Sequence, residues 1–258
     1  MTDVWVGAGL TDTGYVRTAN QDAFAVLNEH RIWVVADGMG GHPAGDLAAN
    51  TAVEIVREKV LHALEFTQHL YRAPEQALSN LLVGANQAIW DRGNLQPWNR
   101  GMGTTIVLVA ITATPSPIAH ISHVGDSRAY LLHGNLMNQL TRDHTVVEEY
   151  IRNGLLDASA AATHPERHIL TRALGIDSTP RPDYVSVPLI PGDVLLLCSD
   201  GLTKMLGDDD IAKILSQYRH TPKEACHGLV GEALRRGGVD NVTVVVCTSR
   251  PPYPADGH

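Results

Sequence analysis

Five aspartates stand where predicted apolar strands begin or end. Two follow strands, Asp37 and Asp200; two precede strands, Asp22 and Asp240; one separates two strands, Asp126. In an antiparallel sheet, the start of one strand and the end of its neighbour lie at the same edge. We therefore expect these carboxylates to converge at one edge of the fold.

A carboxylate cluster calls for a cation, because neighbouring anions repel and raise one another's pKa. Oxygen ligands favour Mg²⁺, Mn²⁺ or Ca²⁺ over zinc, and the sequence has no Cys or His cluster with zinc spacing. Two such ions about 3.5–4 Å apart suit phosphoryl hydrolysis, since they activate a water and hold phosphate oxygens. Gly38, directly after Asp37, permits a tight turn and leaves its carbonyl accessible to an ion.

Strands and paired helices must position these residues. Strand-like segments precede two helical patterns, at about 47–60 and 74–92, and further strands follow, including a hairpin around Gly134–Asn135. Two more helices are predicted near 208–218 and 222–236. Short turns favour antiparallel strand pairing, and helices that arrive in pairs favour an α+β fold with helices packed on sheets.

Composition excludes several function classes. The chain has 258 residues, 44% of them hydrophobic, and a net charge of −8 without any block of basic residues. This argues against nucleic-acid or anionic-membrane binding. No apolar run approaches the roughly 20 residues of a membrane span, and no signal peptide is evident. Three cysteines without close spacing fit a reducing compartment. We therefore expect a cytoplasmic protein.

Seven motifs occur in the order typical of the PPM, or protein phosphatase 2C, family. They are GYVRTANQDAF, VVADGMGGHPAGDLAA, GMGTT, HVGDSRAYLL, HPERHILTRALG, LLLCSDGLT and GVDNVTVVV. The chain resembles compact bacterial members along essentially its whole length. The resemblance implies two antiparallel sheets packed as a β-sandwich between helical layers (α-β-β-α). It implies a single domain over residues 1–250, with a flap at about 143–174. From the composition of residues 251–258 we expect a loose C-terminal tail. The alternative for 143–174 is a tolerated surface insertion.

The resemblance also implies Mg²⁺- or Mn²⁺-dependent hydrolysis of phosphoserine and phosphothreonine by direct attack of a metal-activated water. By motif position, Asp37 would bridge two ions and Gly38 would give its carbonyl to one of them. Asp200 and Asp240 would complete the pair. Asp22 would act nearby through a water molecule.

Two further residues match substrate and outer-metal positions of that family. Asp126, together with Asp200, matches a weaker third-metal site, and Arg17 matches the residue that holds the substrate phosphate. From the residues alone, Arg17 could grip phosphate bidentately or be a solvated surface charge. His42 could protonate or position the leaving group, or cap the helix that follows; we expect a modest role in substrate handling.

Two positions depart from the family pattern. Met39 stands where many eukaryotic members have a histidine, so that general acid is missing and a metal-bound water or His42 must replace it. Lys204 stands where some relatives have an acid, and its cation could weaken the third-metal site formed by Asp126 and Asp200.

We therefore predict a monomeric protein phosphatase whose partners are phosphorylated proteins, with a cognate serine/threonine kinase as a candidate partner by analogy. Two alternatives stay open at this point. One is a catalytically silent PPM-like module that binds phosphoproteins. The other is a different two-metal phosphoesterase, such as a phosphodiesterase.

Overall fold

The computed structural model describes residues 4–40, 44–62, 64–113, 116–161 and 163–250, and these contain eleven strands and eight α-helices. The strands are β1 (Val4–Asp12), β2 (Asp22–Leu27), β3 (Ile32–Met39), β4 (Gly103–Thr104), β5 (Ile106–Thr112), β6 (Ile118–Val124), β7 (Arg128–His133), β8 (Leu136–Gln139), β9 (Asp183–Pro188), β10 (Val194–Cys198) and β11 (Val242–Arg250). The helices are α1 (Ala44–His62), α2 (Leu64–Arg72), α3 (Pro74–Leu95), α4 (Val146–Arg152), α5 (Ala158–Ala161), α6 (Asp200–Thr203), α7 (Asp208–Gln217) and α8 (Pro222–Arg235).

The strands form two antiparallel sheets that pack face to face. One has the order β1-β11-β10-β7-β8; the other has the order β2-β3-β5-β6-β9, with β4 paired to the end of β3. An apolar layer that includes Trp5 and Trp33 fills the space between the sheets. Helices α1 and α3 cover the second sheet, and α7 and α8 cover the first. This α-β-β-α layering confirms the predicted fold class.

The packing of β3 explains why its first five residues are apolar and an acid, Asp37, follows them. Trp33 and Val35 point between the sheets, whereas Ile32 and Val34 point toward the helices. Side chains of a strand alternate between the two faces, so a strand covered on both faces has no place for a polar residue. Asp37 is the first position beyond this covered run, at the edge of both layers.

Helical detail between β3 and β4 differs from the prediction. Helix α2 was not anticipated, and α3 continues through Gly93–Asn94 to Leu95 instead of ending there. The glycine neither ends the helix nor is required by packing, because a Cβ at Gly93 would lie at an ordinary van der Waals distance of 3.4 Å from the carbonyl oxygen of Asn99. The hairpin at Gly134–Asn135 is confirmed as β7–β8. No helix among the described residues combines the length and apolar character that a membrane span needs.

Candidate active site

The predicted carboxylates meet at one end of the sandwich. A cavity of about 570 Å³ is lined by Asp37, Gly38, Asp126, Asp200 and Asp240. A second cavity of about 970 Å³ shares three of these residues and extends beneath the segment that was predicted to be a flap. Antiparallel pairing places the acids at one edge of each sheet, as expected, and the packing of the two sheets brings these two edges together.

The backbone of Asp37 is fixed by the residues around β4. Its N–H donates to Oγ1 of Thr105 at 3.1 Å, and its carbonyl accepts from the N–H of Thr105 and from Oγ1 of Thr104, both at 2.9 Å. These bonds leave the carboxylate to line the cavity. Burial raises the pKa of Asp37 well above its usual range, and the nearby charges of Asp22 and Asp200 raise it further.

Both Asp-Gly pairs of the site require glycine for a steric reason. A Cβ at Gly38 would collide with the carbonyl oxygen of Gly45 at the start of α1, and one at Gly201 would collide with that of Asn241. In each pair, the backbone next to the acid is pressed against another backbone segment. The glycines therefore set the position of the carboxylates by allowing close approach.

Asp22 lies opposite Asp37 in the β2–β3 register and is 7% exposed. Its Oδ2 accepts from Oγ of Ser199 at 2.8 Å and from Oγ1 of Thr243 at 2.7 Å, both from the other sheet. Among the described residues its buried Oδ1 has no hydrogen-bond donor. Burial raises the pKa of Asp22 to about 6 despite these hydrogen bonds. This carboxylate therefore has one oxygen held by two hydroxyl groups and one that is buried without a donor among the described residues.

Asp126 occupies the turn between β6 and β7. Burial raises its pKa to about 7, with further contributions from the charges of Asp200 and Asp143, whereas Lys204 acts in the opposite direction. The turn is held by His144, whose N–H donates to the carbonyl of Gly125 at 3.0 Å and whose Nδ1 accepts from the N–H of Gly125 at 3.1 Å.

Two cations contact Asp240. Lys204 Nζ lies 2.7 Å from Asp240 Oδ2 and 2.5 Å from Asp200 Oδ2. Arg17 Nε lies 2.8 Å from Asp240 Oδ1, and its Nη2 donates to Oδ2 at 3.0 Å. Burial alone would raise the pKa of Asp240, but the bonds from Lys204 and Arg17 outweigh it and lower that pKa. Lys204 therefore joins Asp200 to Asp240, in addition to lying near Asp126.

The donor set fits a hard divalent cation. The ligand atoms available are carboxylate oxygens and a backbone carbonyl, which Mg²⁺ and Mn²⁺ prefer. The raised pKa values of Asp37, Asp22 and Asp126 show that the carboxylates crowd one another in a partly desolvated place. The second oxygen of Asp22 is a further acceptor for a cation or its water shell. A positive ion would relieve both effects.

A second group of ligand-type side chains, His123, His144 and Asp183, fits a metal poorly although their ligand atoms lie within 4.8 Å of one another. The two rings stack with centroids 4.6 Å apart and an interplanar angle of 21°, so their lone pairs run nearly parallel instead of converging. His144 Nε2 lies 3.3 Å from Asp183, and Arg172 already pairs with that carboxylate at 2.6 Å. We interpret this group as a structural network.

The segment predicted as a flap, 143–174, contains α4 and α5 and is anchored near both ends. Asp143 pairs with Arg128 at 2.7 Å, and Arg172 pairs with Asp183 at 2.6 Å. Between these anchors, residues of α4 and α5 line the larger cavity. His42, the other predicted substrate residue, lies outside the described residues.

The small polar residues that hold the acids in place were not predicted from the sequence. Asn241 donates through Nδ2 to the carbonyls of Thr13 and Ala19, and its Oδ1 accepts from the N–H of Gln21, which fixes the loop that carries Arg17. Like Ser199, it stands next to a predicted ligand in the sequence. A small polar residue directly next to an acid in the sequence could therefore have indicated these positioning residues.

Comparisons with known proteins show which family the chain belongs to. The family profile described as "Protein phosphatase 2C" matches residues 15–235. The serine/threonine phosphatase Stp of Listeria innocua is 39% identical over 241 residues, which cover 92% of each chain. Protein phosphatase PhpP of Streptococcus pneumoniae is 36% identical over 240 residues, which cover 92% of this chain and 94% of the relative.

Solved structures extend the similarity to three dimensions. The serine/threonine phosphatase PstP/Ppp of Mycobacterium tuberculosis superimposes with a TM-score of 0.84 at 33% identity, covering 95% of this chain and 98% of the other. The catalytic domain of PstP in complex with two manganese ions gives 0.83 at 30% identity, covering 97% and 100%. On the profile match and these relatives, the chain belongs to the protein phosphatase 2C family.

Proposed function

We propose that Asp37, Gly38, Asp200 and Asp240 hold two divalent ions, Mn²⁺ or Mg²⁺, at the end of the sandwich, and that Asp126 with Asp200 offers a weaker third position. The chain is a metal-dependent serine/threonine phosphatase, and its substrates are phosphorylated proteins. The observation that carries the proposal is the convergence of these carboxylates on one cavity. The raised pKa values of Asp37 and Asp126 support it, since a bound cation would favour the charged forms of these two carboxylates.

When bound, such ions supply an activated water and neutralise phosphate charge. The residues of the chain provide position. The backbone of Asp37 makes three hydrogen bonds to Thr104 and Thr105, which hold its Cα at the edge of the cavity. The second oxygen of Asp22, which is buried without a donor in the described part of the chain, would accept a hydrogen bond from a water molecule that enters beside the cluster. Fixed groups of this kind lower the reorganisation needed during the reaction.

Arg17 is proposed to bind the substrate phosphate. Its side chain is 52% exposed and lines both cavities, so it is accessible from solvent and adjacent to the carboxylates. A guanidinium can donate two parallel hydrogen bonds to phosphate, as it does to Asp240 here. The phosphate would then lie between Arg17 and the ions.

Hydrolysis of a phosphothreonine peptide, with p-nitrophenyl phosphate as a second substrate, tests the proposal. Activity should vanish with EDTA and return with Mn²⁺ or Mg²⁺, and the Asp37→Asn variant should stay inactive at every metal concentration. Full activity after exhaustive chelation would contradict the proposal. Phosphopeptide binding without turnover would favour the silent module, and faster hydrolysis of bis-p-nitrophenyl phosphate than of the monoester would favour a phosphodiesterase.

Other features stay predictions from the sequence. They are the single domain over residues 1–250 with its flap at about 143–174, the monomeric state, the cytoplasmic location, the partner kinase and the role of His42 in substrate handling. The anchors of the flap and its place above the larger cavity support a part in substrate binding.

A further inference from the structure

Lys204 lies in the middle of the carboxylates, and its placement is not explained by the proposed function. It directly follows the four-residue helix α6, which begins at Asp200. Its side chain folds back over that turn, so that Nζ lies 2.5 Å from Oδ2 of Asp200 and 2.7 Å from Oδ2 of Asp240. The ammonium thus bonds to two carboxylates assigned to the metal pair.

Arg17 and Lys204 converge on a single oxygen. Arg17 Nη2 donates to Oδ2 of Asp240 at 3.0 Å, and Lys204 Nζ donates to the same atom at 2.7 Å. Both side chains line both cavities. A phosphate monoester carries nearly two negative charges and three terminal acceptor oxygens. It is therefore an anion that the same two donors can share, as they share the carboxylate of Asp240.

A divalent ion and the Lys204 ammonium compete for carboxylate oxygens. Both oxygens of Asp240 are already bonded, Oδ1 to Arg17 and Oδ2 to Lys204, and Lys204 also occupies Oδ2 of Asp200. An ion that binds this pair of carboxylates therefore meets the ammonium at both of them. The backbone of Lys204 is fixed at the end of α6, where its N–H donates to the carbonyl of Asp200 at 2.8 Å, so only the side chain needs to move when the ammonium is displaced. Its ammonium stays within a side chain's reach of the cavity, where the nearest new anion is the substrate.

We propose that Lys204 is a second phosphate-binding residue beside Arg17, which Asp200 and Asp240 hold until divalent ions displace it. It then donates to a terminal oxygen of the substrate phosphate. The inference rests on the proposed function, because it takes Asp200 and Asp240 as metal ligands. It assigns to Lys204 a role that an acid or a neutral residue at this position could not perform.

The test uses calorimetry on the purified protein. Lys204→Met and Lys204→Gln are compared with the unaltered protein and with Lys213→Met, which removes a lysine that is 77% exposed on α7. Chelated and dialysed samples are titrated first with Mn²⁺. Manganese-saturated samples are then titrated with inorganic phosphate, which probes the phosphate site without turnover.

Opposite changes in the two titrations are expected. Loss of the competing ammonium should tighten Mn²⁺ binding about tenfold or more, and loss of a charged donor should weaken phosphate binding roughly ten- to hundredfold. Lys204→Arg, which keeps the charge, should restore most of the phosphate affinity, and Lys213→Met should behave like the unaltered protein.

Unchanged Mn²⁺ affinity in both Lys204 variants would overturn the competition, and unchanged phosphate affinity would overturn the phosphate contact. Lys204→Gln retains a polar side chain of similar length and keeps the test decisive should Lys204→Met misfold. Failure of the proposed function would look different: the unaltered protein itself would not bind Mn²⁺ or hydrolyse phosphopeptide.

Discussion

Replacing Asp126 by asparagine should make the chelated protein more stable at high pH. Burial and neighbouring charges raise the pKa of Asp126 from 3.8 to about 7 in the folded protein. Between these values the unfolded chain has lost a proton that the folded protein retains, so folding becomes less favourable as pH rises. The free energy of unfolding is therefore unaffected by this group below pH 3.8, and it falls as pH rises from there through about 7. An asparagine does not titrate and escapes this loss.

The magnitude follows from the pKa of Asp126. The loss amounts to about 1.4 kcal/mol per pH unit and stops above the folded-state pKa. Between pH 5 and pH 8, the free energy of unfolding of Asp126→Asn should therefore rise relative to the unaltered protein by about 3 kcal/mol. The comparison cancels titrating groups that do not interact with Asp126, such as His144, whose pKa burial lowers to about 4.

Urea denaturation in EDTA at pH 5, 6, 7 and 8 measures this difference. Asp91→Asn, which removes an exposed carboxylate from α3, is the matched control and should show a flat difference. For Asp126→Asn, a difference in the free energy of unfolding that stays constant or falls with pH would refute the claim that burial and the charge of Asp200 raise the pKa of Asp126. Saturating Mn²⁺ should reduce the pH dependence, because a cation favours the ionised carboxylate.

Two further predictions concern the substrate and the strand end. Arg17→Ala should lower kcat/KM about ten- to hundredfold through a raised KM, because a charged donor to phosphate is lost. Calorimetry should show that Mn²⁺ binds at least as tightly, since Arg17 also pairs with Asp240. Unaltered kinetics would show that Arg17 is only a solvated surface charge. Gly38→Ala should lower the free energy of unfolding by about 1–3 kcal/mol and weaken Mn²⁺ binding, because the added Cβ would collide with the carbonyl of Gly45. A variant with unaltered stability and metal affinity would show that the close approach of these two backbone segments does not position the site.

The convergence of the acids could be predicted because it follows from local rules. A strand covered on both faces must be apolar until it leaves the layers, and Asp37 marks that point. Antiparallel pairing then places Asp22 beside it, and the register confirms this. The layer architecture followed from the order of strands and helices together with the family resemblance.

Contacts between distant segments could not be predicted, because they depend on how the two sheets meet. Ser199 and Thr243 reach Asp22 across the sandwich, and Lys204 reaches Asp240 although 36 residues separate them. The sequence placed Lys204 beside the third-metal position only by its spacing from Asp200. Helix α2 was missed because it is only nine residues long and lies between two much longer helices, of 19 and 22 residues.

Anomalous diffraction from manganese-soaked crystals tests the central claim most directly. The account predicts two strong peaks about 3.5–4 Å apart, one ligated by Asp37, Asp200 and Asp240 and the other by Asp37 and the carbonyl of Gly38, with the Lys204 ammonium moved away from both carboxylates. Peaks only at the His123–His144–Asp183 group, or no peak within bonding distance of Asp37, would contradict it.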